Sequence, residues 1–148
     1  MKPRVLQGLA VMLLAVVLGA CAAMTARERS LYERLGGRHP IALVVDDFVA
    51  NMVADNRVNA RFQGAPPAAV ARLRSNLSDQ ICEAAGGPCS YLGKDMKTTH
   101  KGMNITEAEW NATVENLVKA LDKHKVPEKE KQELLAKLGP LKKDIVGQ

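Results

Sequence analysis

The sequence predicts an all-α domain, and three observations carry that expectation. Apolar residues recur at three- and four-residue spacing along most of the chain. No window alternates with period two over a convincing length. Helix-starting and helix-stopping residues, among them Gly36-Gly37, Pro66-Pro67, Gly86-Gly87-Pro88 and Val126-Pro127, fall between the periodic stretches.

Residues 1–20 stand apart from that domain. Lys2 and Arg4 make a positive start, Gly8 to Gly19 are almost all apolar, and the run is too short for a comfortable membrane span. It ends in Leu18-Gly19-Ala20-Cys21, which resembles a bacterial lipobox, where signal peptidase cuts before a cysteine that takes lipid. The other reading is an ordinary signal peptide or uncleaved anchor with an incidental cysteine. The expectation is an exported lipoprotein, held to a membrane through Cys21 and facing the periplasm or the cell exterior. Removing 1–20 leaves about 128 residues, the size of one domain. Residues 21–30 read as a linker and 31–146 as the folded unit, with no internal repeat.

The elements follow in order. Arg27 to Leu35 reads as a short helix closed by Gly36-Gly37. The next helix carries Ile41, Val44, Val45, Phe48 and Met52 on one face, and Asp55-Asn56 mark its turn. Val58 and Phe62 sit on a short helix after it. Pro66-Pro67 open a longer helix, where proline is tolerated in the first turn, with the stripe Val70, Leu73, Leu77, Ile81 and Ala84. Gly86-Gly87-Pro88 stop it. An irregular stretch then leads to a short helix at Asp95 to His100. Thr106 and Glu109 form a capping box for a helix carrying Trp110, Val114, Leu117, Val118 and Leu121. A last helix is expected to carry Leu134, Leu135, Leu138, Leu141 and Ile145.

The charge balance points away from nucleic acid. Lys+Arg exceed Asp+Glu by five, and lysines crowd the last third. They alternate with acids at helical spacing, as a solvated face does, and at 3% aromatic content little is present to stack on bases. With Cys21 assigned to lipid, Cys82 and Cys89 remain in an oxidising compartment. They could close a small disulfide across Gly86-Gly87-Pro88, or stay as two free thiols packed near a helix end. No CxxC motif or Cys/His cluster supports zinc.

The segment from Cys82 to Thr106 carries the chemistry. It sets His100 on a turn-rich stretch among Gly86, Gly87, Gly93 and Gly102, flanked by Met96 and Met103. A neutral imidazole is the commonest metal ligand, and in globins it holds the haem iron from one side. His39, beside Pro40 at a helix start, reads as exposed or capping. His124, among lysines near a helix end, reads as a surface residue favoured by the helix dipole.

The order of these pieces resembles the truncated haemoglobins, and within them group 1. The matching stretches are Tyr32-Glu33-Arg34-Leu35-Gly36-Gly37, Val44-Val45-Asp46-Asp47-Phe48, Arg57-Val58-Asn59-Ala60-Arg61-Phe62, Gly86-Gly87-Pro88, Met96-Lys97-Thr98-Thr99-His100 and Leu141-Lys142-Lys143-Asp144-Ile145-Val146. The resemblance implies a two-over-two helical sandwich with haem b between the Pro66 and Thr106 helices. It implies His100 as the proximal iron ligand, with the other ring nitrogen tied to a nearby backbone acceptor. It places Phe48, Val49, Phe62, Leu73, Leu77, Met96, Ile105 and Trp110 around the haem.

The chain also departs from that family's pattern. A tyrosine whose hydroxyl hydrogen-bonds bound oxygen commonly follows the Phe48 position; here it is Val49. Polar groups common on the helix above the haem are replaced by Leu73 and Leu77. An apolar distal side forgoes about 1–2 kcal/mol of oxygen stabilisation, roughly tenfold in affinity. Gln80, one turn beyond Leu77, is the nearest polar group that could swing in. The leading expectation is a haem protein that binds oxygen, nitric oxide or carbon monoxide reversibly, served by a reductase of unknown identity. A nitric-oxide-consuming or peroxidase-like enzyme is the alternative, and it lacks a distal acid–base group at Val49, Leu73 or Leu77. A cofactor-free helical interaction lipoprotein is the third reading.

Overall fold

The computed structural model describes residues 28–148. The expected signal peptide, Cys21 and most of the linker lie outside the described residues. The elements are α1 (Leu31–Arg34), α2 (Arg38–Ala54), a 3-10 turn (Asn59–Phe62), α3 (Pro67–Ala84), α4 (Met96–His100), α5 (Glu107–Lys123), α6 (Glu128–Leu138) and a closing 3-10 segment (Gly139–Asp144). Among the described residues there is no strand, and the one isolated bridge pairs Ile105 with Val146. None of the described helices is long and apolar enough to cross a membrane.

Local chemistry sets the helix ends. Ser30 and Glu33 form a reciprocal capping box on α1, so this helix begins later than its apolar pattern suggests. Gly36 and Gly37 follow at φ of 89° and 87°, a left-handed turn that a side chain would strain. Pro66 and Pro67 begin α3, where no backbone N–H is needed. Thr106 and Glu109 cap α5 reciprocally, as their spacing predicts. The last helix differs from expectation. It ends at Leu138, and Gly139-Pro140 turn the remainder into a 3-10 segment carrying Leu141. Ile145 lies beyond that segment, at its C-cap.

The layers are α2 with α3 over α5 with α6, and α2 is the central element. It packs on both α3 and α5 through Ile41, Val44, Val45, Phe48, Val49 and Met52, all buried. Ile81 and Cys82 meet it from α3, Leu117 and Leu121 from α5, and Leu134 adds the α6 face. Asn116 is the one buried polar residue among those described. Its amide donates to Asp55 (2.8 Å) and its carbonyl accepts from Asn51 (3.2 Å), which ties the end of α2 to α5. Arg34 reaches Glu130 (3.1 Å) and Glu133, holding α1 against α6. In contrast, α3 and α5 scarcely touch one another.

Candidate haem site

Two apolar stripes are left half-covered by this packing. On α5, the face toward α2 (Ala112, Asn116, Leu117, Ala120, Leu121) is buried, whereas Trp110, Val114 and Val118 are only half-buried. On α3, Ile81 and Cys82 are buried, whereas Val70, Leu73 and Leu77 are half-buried. Apolar stripes left partly in water on two helices that do not close on each other are the flanks a flat apolar cofactor would cover.

The predicted lining residues divide into three groups. Phe48 and Val49 are fully inside the core, at 5% and 0% exposure. Phe62, Leu73 and Leu77 are half-buried and pack against that core. Met96, Ile105 and Trp110 are half-buried and stand outside the core cluster, as does His100. Val49 is therefore the deepest of the three apolar distal residues, and Leu73 and Leu77 the most accessible.

His100 ends α4, a helix started by Asp95, whose carboxylate accepts from the Thr98 N–H at 2.8 Å. That bond and the Thr98 side chain hold the Asp95 carboxyl below its usual range, with the side-chain contribution the larger. The His100 Nδ1 lies 2.8 Å from the Met96 carbonyl oxygen, one turn back. A carbonyl can only accept, so Nδ1 donates its proton there, and in the neutral ring the lone pair falls on Nε2. Among the described residues Nε2 has no hydrogen-bond partner. No group of three or more His, Cys, Asp or Glu side chains converges among the described residues, so His100 belongs to no multi-ligand cluster there.

The backbone on both sides of His100 is fastened. Before it, the Tyr91 hydroxyl and the Thr99 hydroxyl both donate to the Lys94 carbonyl (2.7 and 3.2 Å). Cys82 and Cys89 form a disulfide, which ties this loop to the end of α3. At the corner between them, a Cβ on Gly87 would come within 2.5 Å of the Tyr32 ring, so the close approach needs glycine. After His100, the Asn104 N–H donates to the Gln148 carbonyl (2.7 Å) and the Gly147 N–H to the Ile105 carbonyl (2.9 Å).

Arg61 has a role that no motif in the sequence announces. It donates to the Met103 carbonyl (2.7 Å) and to both Glu109 carboxylate oxygens (2.8 and 3.0 Å), joining the 3-10 turn beside Phe62 to the His100 loop. The Arg61 guanidinium, helped by the Thr106 N–H, holds the Glu109 carboxyl down to about 2. Its one sequence signal is its place next to Phe62 in a stretch shared with the resembled family.

The remaining candidates are placed plainly. The Gln80 amide donates to the Met96 sulfur at 3.4 Å. His39 is exposed at the start of α2. The His124 Nε2 lies 2.7 Å from Asp47, a pairing the sequence reading did not include. Lys123 first, and then His124, lower the Asp47 carboxyl below its usual range.

Comparison with known proteins agrees with this geometry. A family model described as "Bacterial-like globin" matches residues 30–146. The group 1 truncated haemoglobin of Mycolicibacterium paratuberculosis is 31% identical over 120 residues, covering 81% of this chain and 86% of the relative. A group 1 truncated haemoglobin of Tetrahymena pyriformis is 29% identical over 82% of this chain and 98% of the relative. The crystal structure of the Tetrahymena pyriformis protein in its Fe(III) form superposes with a TM-score of 0.75, covering 81% of this chain and 100% of that one. The 2/2 haemoglobin from Synechococcus sp. PCC 7002, in the cyanomet state with covalently attached haem, is 28% identical with a TM-score of 0.72, over 80% and 98% of the two chains. With its 2/2 helical layers, its single accessible imidazole and these relatives, the chain belongs to the bacterial-like globin family and, within it, to the group 1 truncated haemoglobins.

Proposed function

We propose that this chain holds haem b along the half-covered stripes of α3 and α5, with His100 as the axial ligand, and binds a diatomic gas reversibly. His100 would hold the haem iron through Nε2, and the bound group would supply a ferrous iron able to bind a diatomic gas. The single observation that carries the reading is His100: its Nδ1 is committed to the Met96 carbonyl, and its Nε2 keeps a lone pair without a partner.

The chain's own residues fit that group. Phe62, Leu73, Leu77, Met96, Ile105 and Trp110 offer apolar area that folding alone leaves half in water. Phe48 and Val49 close the site from the core side. The Met96 carbonyl fixes the His100 tautomer and raises its basicity as a donor. Val49, Leu73 and Leu77 present no donor to the gas, and Gln80 is engaged by Met96. The distal side excludes water without hydrogen-bonding its ligand, which suits fast exchange better than acid–base chemistry.

The segment ahead of the domain makes this an exported globin, acylated at Cys21 and held at a membrane surface. The supports are the charged start, the short apolar run and the Leu-Gly-Ala-Cys ending. Two or more acyl chains would be needed for durable anchoring.

The test is an absorption spectrum of the purified full chain, ferric, ferrous, and ferrous with carbon monoxide. A Soret band that sharpens and shifts with carbon monoxide is expected. A colourless protein that takes up no added haemin would establish the cofactor-free interaction module instead. Mass spectrometry of the membrane fraction tests acylation, and an unmodified Cys21 there would end that part of the reading.

A further inference from the structure

We propose that the loop and helix leading to His100 form a membrane-contacting face, on which Leu92, Lys94, Lys97 and Lys101 meet an anionic lipid surface. The proposal rests on the reading of Cys21 as a lipid anchor, and its test separates the two.

Leu92 is 92% exposed, against 41% and 45% for Leu43 and Val53, the other exposed large apolar residues described. Its loop is closed at both ends, by the Cys82–Cys89 disulfide and by the Tyr91 hydroxyl on the Lys94 carbonyl at 2.7 Å. A leucine held out by a fastened loop recovers its exposure cost only on meeting another apolar phase. The upper acyl region beneath lipid headgroups is one such phase.

Three lysines follow it closely in the chain. Lys94 lies just ahead of the Asp95 cap, Lys97 within α4 and Lys101 at its C-cap, so three cations flank and occupy this one short helix. All three are exposed, and among the described residues none is in an ion pair. Lys119, Lys129 and Lys137 are likewise exposed and outside the ion pairs but have no exposed leucine beside them in the chain, which makes them the reference lysines. The one carboxylate within this stretch, Asp95, is directed to the Thr98 N–H as the helix cap. The segment is therefore cationic with an apolar tip, complementary to anionic headgroups over an acyl layer.

The chain's own path aims this face at the bilayer. The Tyr32 N–H donates to the Ala85 carbonyl (2.8 Å), and a Cβ on Gly86 would stand 3.6 Å from the Ser30 Cβ. The start of the domain thus packs at the Gly86-Gly87 corner, from which the chain runs through Cys89 to Leu92. From Cys21 to Glu28 an extended chain spans at most about 25 Å, so lipid on Cys21 would hold this corner within that distance of the membrane.

The experiment is lysine labelling with a water-soluble acetylating ester, read by mass spectrometry, on the full chain in phosphatidylglycerol-containing and in phosphatidylcholine-only vesicles. Each lysine close to an anionic surface adds about fivefold to binding, so labelling at Lys94, Lys97 and Lys101 should slow at least about threefold with phosphatidylglycerol. Lys119, Lys129 and Lys137 should label alike in both. Leu92→Asp, at an exposed position that folding does not need, should remove the difference. Equal rates in the two vesicles, or equal slowing at all six lysines, would overturn the proposal. Flotation with phosphatidylcholine vesicles, and its loss in Cys21→Ser, reports the anchor separately.

Discussion

Replacing Val49 by tyrosine should slow oxygen release far more than carbon monoxide release. Val49 has 0% exposure and sits beside Phe48 in the core, with Leu73 and Leu77 as its apolar companions toward the open side. A tyrosine hydroxyl there adds one hydrogen-bond donor, worth about 1–2 kcal/mol to a polar acceptor, which is between about five- and thirtyfold in dissociation rate. Carbon monoxide is a much poorer acceptor, so its release should change by less than about twofold. The substitution also adds volume at a closed position, at a cost of about 1–3 kcal/mol in stability. Leu77→Gln is therefore measured alongside it, because Leu77 is half-buried and an amide fits there with less repacking. Stopped-flow release of both gases from the natural protein and both variants is the assay. Oxygen release that is already slow and unchanged by either variant would refute the apolar distal side. Equal slowing of both gases would show that volume, not hydrogen bonding, was altered.

Three further outcomes are expected. Arg61→Ala removes the bonds to the Met103 carbonyl and to Glu109, and should lower stability by about 1–2 kcal/mol in chemical denaturation and speed haem loss to an acceptor protein; an unchanged haem-loss rate would show that Arg61 does not steady the His100 loop. The Glu109 carboxyl sits at about 2 in the folded chain against 4.5 as its ordinary value, so its stabilising contribution is complete above the ordinary value and drains away as pH falls toward 2; urea midpoints at pH 5 and pH 3 should converge in Glu109→Gln relative to the natural chain. Reducing the Cys82–Cys89 disulfide, which spans a sequence separation of 7, should cost about 2 kcal/mol and lower Tm, and a Tm insensitive to reductant would show that the bridge adds nothing.

What the sequence revealed was mostly local. The capping box at Thr106 and Glu109, the proline start of α3 and the Gly86-Gly87 stop are short-range signals, and each sits where its spacing puts it. The family resemblance supplies the expected lining residues, but a matched position cannot say how deep a residue lies. It treated Val49 and Leu77 alike, whereas packing on α2 buries the first and leaves the second half open. Apolar spacing alone carries the last helix through Gly139-Pro140 to Leu141 and Ile145; the proline ring and missing N–H outweigh that pattern. Arg61 to Met103, Asn116 to Asp55 and the Ile105–Val146 bridge join residues far apart in the chain, and no window of sequence contains both partners. The choice between a disulfide and two free thiols was open for a related reason: it depends on how the Gly86-Gly87 corner folds around Tyr32.

The account stands on His100 as the axial donor, and ligand rescue of His100→Gly tests that most directly. Removing the imidazole leaves α4 and the Met96 carbonyl in place but takes away the free Nε2. The spectrum of the ferrous variant should lose the histidine-ligated form, and added imidazole should restore both that spectrum and carbon monoxide binding, while His39→Gly and His124→Gly behave as the natural chain. A His100→Gly protein that keeps an unchanged ferrous spectrum without imidazole would contradict the assignment.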